Sequence, residues 1–217
     1  MRDFDNPDSS NPSRRVWLIS AIVSAVIVLG YASAWFLLAV GAREQVDLWM
    51  EERRGEGFTV RYDSLEATGF PFKIRIDIAG PGFGAPLLET PWGWEGERLS
   101  LEMTPWNSDT VRAHLTGAQM LAVPVGGRTQ TYTGTLQSLK ATVNLRNGQP
   151  NRVELALQSL ELAAEKSSLG TIRIGKTDLE VEEFHLSEPN HQTPSGTLSG
   201  AFENIQLPWL AGSPLGR

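Results

Sequence analysis

The stretch that matches a catalytic pattern most closely is Gly170–Thr177, GTIRIGKT, which fits the phosphate-loop pattern letter for letter. That chemistry requires backbone N–H groups curled around phosphates and a helix that starts at the lysine. Here Ile172 and Ile174 alternate with polar residues as they do in a strand, and several acidic residues follow from Asp178. We therefore interpret the stretch as a strand with flanking turns and not as a nucleotide site.

Patterns for hydrolases and metal sites are weaker. The stretch Gly196–Gly200 places Ser199 one position late for the G-x-S-x-G turn that exposes a nucleophile. The three histidines, His114, His185 and His191, do not pair with a second ligand at helical spacing. We therefore expect no enzyme activity, no cofactor and no metal. An exported hydrolase is the third hypothesis, and it requires clustered acids or a Ser–His pair that only folding brings together.

Composition excludes two further classes of protein. The chain has 217 residues with a formal net charge of −6, whereas nucleic-acid-binding proteins normally present a basic face, so we expect no nucleic-acid partner. It contains no cysteine, which argues against a domain held together by disulfides. Its fold must therefore depend on an ordinary packed core.

A long apolar segment, residues 16–42, is the element that must position everything else. It contains no charged side chain, and about 20 apolar residues are enough to span a bilayer as a helix. Trp17 and Trp35 lie about 27 Å apart at helical rise, which suits one indole ring at each membrane interface. We predict a single transmembrane helix over residues 16–42, with Trp17 and Trp35 as its membrane-interface residues.

The flanks of this segment bear on its orientation. Residues 1–15 are polar and are predicted to form a disordered cytoplasmic tail, because Arg14 and Arg15 precede the helix. Ala32-Ser33-Ala34 resembles a signal-peptidase site, but the apolar run continues beyond it, which favours an uncleaved anchor. Gly30 and Ala34 form a pair of small residues that can seat a membrane-protein partner or a second copy.

The remaining sequence is predicted to be a short helix and then strands. Residues 43–57 carry a helical apolar stripe that ends at glycines, and the period changes to two after Gly57. Residues 58–217 are therefore predicted to form a mainly β domain, an antiparallel β-meander shaped as a curved sheet, a groove or an incomplete barrel or sandwich. Asn147-Gly148 between two alternating runs favours a hairpin. The sequence after Leu207 resembles a connection, so a domain truncated at its C-terminus is one alternative.

Five apolar positions alternate strictly with polar ones in the clearest of these runs: Phe70, Phe72, Ile74, Ile76 and Ile78. One apolar face must be covered by something, and any part left open is a candidate site for a lipid or an apolar partner. The aromatic group Trp92, Trp94 and Trp106, together with Phe70 and Phe72, is compatible either with a core where sheet and helix meet or with an apolar receiving surface.

Several residues also carry a family resemblance. Arg54-Gly55-Glu56-Gly57-Phe58-Thr59-Val60-Arg61-Tyr62, Gly69-Phe70-Pro71-Phe72-Lys73 and Thr104-Pro105-Trp106 resemble the Gram-negative family catalogued as domain of unknown function 2125. That family is similar in layout to AsmA-like β proteins anchored in the inner membrane. The resemblance implies a single-pass inner-membrane protein with a periplasmic domain, a role in envelope lipid traffic and no established catalytic residues.

Two functional hypotheses follow beside the hydrolase. The first is a periplasmic protein that binds or guides a lipid, or an apolar envelope component, through a one-sided β-sheet. The second is a structural or interaction protein of the cell envelope that acts through its membrane helix and a closed β-sandwich.

Overall fold

The computed structural model describes residues 12–85, 91–125, 127–146, 149–165, 170–185 and 195–206. These residues form one long helix, α1 (Pro12–Gly55), and a single antiparallel sheet of ten strands. The strands are β1 (Thr59–Arg61), β2 (Ser64–Thr68), β3 (Ile74–Ala79), β4 (Gly82–Ala85), β5 (Trp92–Thr104), β6 (Asn107–Val125), β7 (Arg128–Arg146), β8 (Gln149–Ala164), β9 (Thr171–His185) and β10 (Ser195–Gln206). The predicted mainly β fold, with one N-terminal apolar helix, is confirmed.

Helix α1 joins the two predicted helices, 16–42 and 43–57, without a break. It begins at Pro12, inside the predicted tail, and the rest of that tail lies outside the described residues. Its end falls at Gly55, where arginines in the last turn suit the negative end of the helix dipole and Gly57 adopts a φ of 91°. In the described part of the chain, this is the one helix long and apolar enough to cross a membrane.

The sheet is a meander from β5 to β10, with each strand paired to the next in sequence. On its other side, β5 pairs with two short strands. Strand β4 pairs with the first residues of β5, and strand β3 pairs with the last residues of β5. Strands β1 and β2 then extend β4 and β3 outward. The sheet does not close, so that β10 forms one border among the described strands and β1 with β2 forms the other.

The larger buried cluster lies where α1 crosses the start of the sheet, and a smaller one forms around Tyr132, Leu162 and Ile172 on β7 to β9. Strand β3 buries Ile74, Ile76 and Ile78 to 2% exposure or less, while the residues between them remain half-buried. Ala39 and Met50 of the helix pack on this face. Alternate burial is what a strand with one covered face requires, and helix α1 supplies the cover.

The strand predicted to begin at Phe70 begins instead at Ile74. Gly69 adopts a φ of 100°, and the N–H of Lys73 donates to the carbonyl of Gly69, which closes a turn over the intervening residues. Pro71 has no N–H to offer a neighbouring strand. Phe70 and Phe72 therefore precede the sheet, although their spacing continues the period of β3.

A line of irregular backbone crosses the long strands near their middle. Strands β5, β6 and β7 shift register around Gly117, and Ser159 of β8 and Asn204 of β10 have positive φ values of 49° and 56°. Gly117 itself has a φ of 90°. Bulges bend strands and increase their twist, so this line accounts for a change of direction along the sheet.

Substitution of Gly117 by alanine is expected to destabilise the sheet. Its φ of 90° is unfavourable for residues with a side chain, and an added Cβ would collide with the Glu97 carboxylate that accepts the N–H of Ala118. We expect a loss of about 1–3 kcal/mol in the free energy of unfolding, measured by denaturant titration. Gly93→Ala is the control, since its Cβ would meet open space, and an equal loss in both variants would contradict this explanation.

Candidate functional site

Cross-strand register aligns the apolar side chains of successive strands into rows that run across the sheet. One row joins Leu99, Leu115, Leu139 and Leu157, and the next joins Leu101, Ala113, Ala141, Leu155 and Leu179. A third continues through Val111, Val143, Val153, Val181 and Leu198. Both of the first two rows begin on β3, at Ile78 and Ile76. We call this surface the apolar face.

The helix covers only the beginning of the apolar face. Leu99, Leu101 and Met103 pack on the buried core, but the rows continue across β6 to β10. The described residues contain no second sheet and no second helix to lie over them. Most of their side chains are accordingly half-buried, and Leu198 on β10 is 69% exposed. The apolar face therefore stays partly accessible along β6 to β10, and apolar surface left open in this way is a candidate binding site.

The opposite surface of the same strands is polar and carries ion pairs. The guanidinium of Arg152 pairs with Glu154 at 3.0 Å and Glu182 at 3.1 Å, and it also contacts Glu180. An open depression of about 620 Å³ lies here, with charged lining residues that include Lys140 and Asp178. This surface is therefore charged and open to solvent, whereas the apolar side chains beyond α1 have no covering element in the described part of the chain.

The five residues predicted as an apolar sheet face separate into two places. Ile74, Ile76 and Ile78 lie on β3 beneath α1, at the covered beginning of the apolar face. Phe70 and Phe72 lie in the turn before β3 and are 52% and 71% exposed. The accessible part of the face is instead built by strands farther along the chain.

The turn before β3 is fastened to the apolar part of α1. The indole Nε1 of Trp35 donates to the carbonyl of Lys73 at 3.0 Å, and the hydroxyl of Tyr31 donates to the carbonyl of Pro71. The ring of Phe70 meets that of Trp35 edge to face, with centroids 5.3 Å apart. Trp35 therefore holds the β domain against the helix at the position where the sequence predicts a membrane interface.

The other residues singled out on the helix do not touch the sheet. Trp17 is exposed near the start of α1. Gly30 and Ala34 are also exposed, and a Cβ at Gly30 would meet open space. Self-association through this pair stays a prediction.

An ion cluster lies just inside the same turn. Glu102 on β5 accepts hydrogen bonds from Lys73 at 3.1 Å and from Arg75 at 2.5 Å. Partial burial raises the pKa of the Glu102 carboxyl, but the two hydrogen bonds and the two positive charges outweigh it, so its pKa lies below the ordinary value. The single carboxylate thus offsets one of the two positive charges at this end of the sheet.

The structure confirms that the phosphate-loop match is a strand. Residues from Thr171 onward belong to β9, and Lys176, the residue that would bind phosphate, pairs with Asp178 at 3.0 Å. In the described ranges, no group of three or more metal-binding side chains comes together.

Folding does bring one Ser–His pair together. The Nε2 of His114 lies 3.1 Å from the Oγ of Ser138, on neighbouring strands. Ser138 is only 9% exposed, and it sits among ladder residues whose backbone N–H groups face neighbouring strands and not an incoming carbonyl. The pair resembles a cross-strand hydrogen bond more than a nucleophile and its base.

The aromatic group is divided between the two readings that the sequence left open. Trp92 packs on Phe83, with centroids 5.8 Å apart, and Trp94 donates from Nε1 to Gln119 at 2.9 Å, so both are part of the folded interior. Trp106 lies in the turn between β5 and β6 and is 66% exposed. Within this group Trp106, Phe70 and Phe72 therefore belong to an accessible surface.

Sequence reasoning identified the strands of the accessible face but not the face itself. The same period of two that marks β3 also marks β6 to β9, and that is the signal by which these residues are found. Their alignment depends on register, which a single alternating run does not specify.

One comparison with known proteins gives a match. The family model described as an uncharacterized protein conserved in bacteria (DUF2125) matches residues 35–214. Neither the curated proteins nor the solved structures contain a match. The chain therefore belongs to the DUF2125 family of uncharacterized bacterial proteins.

Proposed function

We propose that this protein is a membrane-anchored, non-enzymatic lipid-binding protein whose apolar face holds or guides acyl chains. The observation that carries the proposal is the alignment of apolar side chains in rows that cross four or five neighbouring strands between β5 and β10 and continue beyond the strands that α1 covers. Apolar area removed from water contributes about 25 cal/mol per Å², so an acyl chain laid along these rows is bound without any polar recognition.

The dimensions of the face support this occupant. Strands in a sheet lie about 4.8 Å apart, so each of the two longest rows, which join β5 to β9 and β6 to β10, runs about 19 Å. One leaflet of a bilayer has about 15 Å of hydrocarbon, which is the depth that an acyl chain fills there. A chain of that length fits along one row with room to spare.

We also propose that α1 is an uncleaved single-pass anchor in the inner membrane, with the N-terminus in the cytoplasm and the sheet in the periplasm. Cleavage after Ala34 would remove Tyr31, whose hydroxyl donates to the carbonyl of Pro71. It would also leave Trp35, which donates to Lys73, at a frayed chain end. Contacts of this kind favour a helix that stays attached to the domain.

A pair of lysines on the apolar face tests the proposed function. Leu155 on β8 and Leu179 on β9 are register partners in the second row of the apolar face. In Leu155→Lys/Leu179→Lys, two charges should repel acyl chains because an ammonium group is costly to desolvate. We expect the full chain, purified in mild detergent, to lose most of the lipid that native mass spectrometry finds on the wild type.

The helix is the same in both proteins, so lipid that merely surrounds α1 cancels in this comparison. Thr142→Lys, on the polar surface, is the matched control and should keep the wild-type lipid content. Equal lipid on wild type and the double variant would contradict the proposal, and it is the result that the second hypothesis, an interaction protein acting through its helix, predicts.

A further inference from the structure

The β domain reaches down alongside the apolar part of α1. The turn Gly69–Lys73 contacts the helix at Tyr31 and Trp35. These residues precede Arg43, the first charged residue after the apolar segment, by twelve and eight positions. At the helical rise, the contacts lie about 18 and 12 Å on the membrane side of that charge. The turn is therefore held beside a part of the helix that suits the bilayer.

Strand register brings a second turn to the same end of the sheet. Ile74 pairs with Met103, so the turn between β5 and β6, which carries Trp106, lies next to Lys73. Phe70, Phe72 and Trp106 are all more than half exposed. We call these three side chains the aromatic tip. Large aromatic rings are enriched at the boundary between lipid and water, where they bury an apolar body beside headgroups.

The charges around the aromatic tip suit the same location. Lys73 and Arg75 share the single carboxylate of Glu102, so the cluster keeps one net positive charge, which suits anionic lipid headgroups. The far end of the sheet differs, because β7 begins there with Arg128 and Thr129, which are polar and exposed. The two ends of the strands are thus chemically distinct: the exposed rings of the aromatic tip lie at one end, and exposed polar side chains lie at the other.

We propose that the aromatic tip is inserted into the headgroup–acyl boundary of the leaflet from which α1 emerges, and that lipid passes from this leaflet onto the apolar face. The second half of this statement rests on the proposed function. The occupant of the tip is the phospholipid bilayer itself, because α1 is continuous through the contact and fixes the height of the tip relative to its own apolar segment. From the tip, β6 leads directly to Val111 at the membrane end of the rows.

The insertion is tested with a fluorescent label at a single cysteine. The chain has no cysteine of its own, so Phe72→Cys, Trp106→Cys and Thr129→Cys each give one labelling site. Each full-length variant is labelled with the polarity-sensitive dye NBD and reconstituted into phosphatidylethanolamine–phosphatidylglycerol vesicles. At positions 72 and 106 we expect blue-shifted emission and at least twofold quenching by doxyl-labelled lipid.

Thr129→Cys is the matched control, since the 19 residues of β6, about 60 Å of chain at strand rise, separate it from the aromatic tip. It should show emission typical of water and no quenching. Water-like emission at positions 72 and 106 would overturn the insertion. The lipid content of the lysine double variant is a separate measurement, so insertion without lipid binding, or lipid binding without insertion, identifies which of the two proposals fails.

Discussion

The substitution Ile76→Lys is expected to unfold the β domain. Ile76 is 2% exposed, between Ala67 on β2 and Leu101 on β5, and it lies beneath α1. A charge there has no water and no partner, which costs more than the roughly 5 kcal/mol that marks exceptional single substitutions. Since domains of this kind are stable by about 5–15 kcal/mol, most of the folded population should be lost. Tryptophan fluorescence during denaturant titration measures this.

Two further variants distinguish the effect of the charge from the loss of the isoleucine side chain and from the position in the sheet. Ile76→Ala removes the same side chain without adding a charge, and we expect it to cost about 2–5 kcal/mol. Leu198→Lys places the identical charge on the exposed border strand β10, where the cost should stay within about 0.5 kcal/mol. If lysine is tolerated at both positions, α1 does not cover β3 in the way described.

Removal of the helix up to residue 42 is the second change with a large expected effect. A chain that begins at Gly30 keeps Trp35, Ala39 and Ala42, which pack on the core at β3. A chain that begins at Arg43 loses all three. Because truncating a buried aromatic side chain costs about 3–5 kcal/mol and Trp35 is partly buried, we expect the combined loss of Trp35, Ala39 and Ala42 to lower the free energy of unfolding by about that amount.

Both chains are compared in the same mild detergent by their denaturation midpoints. The comparison distinguishes a helix that only anchors from a helix that is part of the folded domain. Equal stability would mean that the contacts of Trp35 and Ala39 contribute nothing to folding. It would also remove the argument that cleavage at Ala32-Ser33-Ala34 damages the domain.

The fold was largely predictable because its signals are local. A 27-residue run without charge predicts a helix, and strict alternation after Gly57 predicts antiparallel strands. The pair β7 and β8 also shows why Asn147-Gly148 is a good hairpin signal. Arg146 pairs with Gln149 across it, although the two turn residues themselves lie outside the described residues.

The candidate site was less predictable because it depends on alignment between distant residues. Leu139 and Leu157 become neighbours only through the register of β7 and β8, and a shift by one residue would reverse the face they occupy. The start of β3 was predicted too early, at Phe70, because here the local pattern was misleading. The spacing of Phe70 and Phe72 has the period of a strand, but the turn closed by Gly69 and Lys73 removes them from it.

The aromatic tip shows a third kind of limit. Trp106 and Phe72 are about thirty residues apart in sequence and have no pattern in common. They lie at the same end of the sheet because β3 and β5 are antiparallel partners: β3 begins at the turn that carries Phe72, and β5 ends at the adjacent turn that carries Trp106. Only the structure can show that this end is also the one fastened to Trp35.

The most direct measurement of lipid on the apolar face is photo-crosslinking in the native membrane. Benzoylphenylalanine replaces Leu157, the residue of the first row on β8, or Lys140, which is exposed on the polar surface of the neighbouring strand β7. After irradiation of cells that express the full chain, mass spectrometry of the purified protein should find a phospholipid adduct at position 157 and none at position 140. Adducts at neither position, or equally at both, would contradict lipid binding by the apolar face.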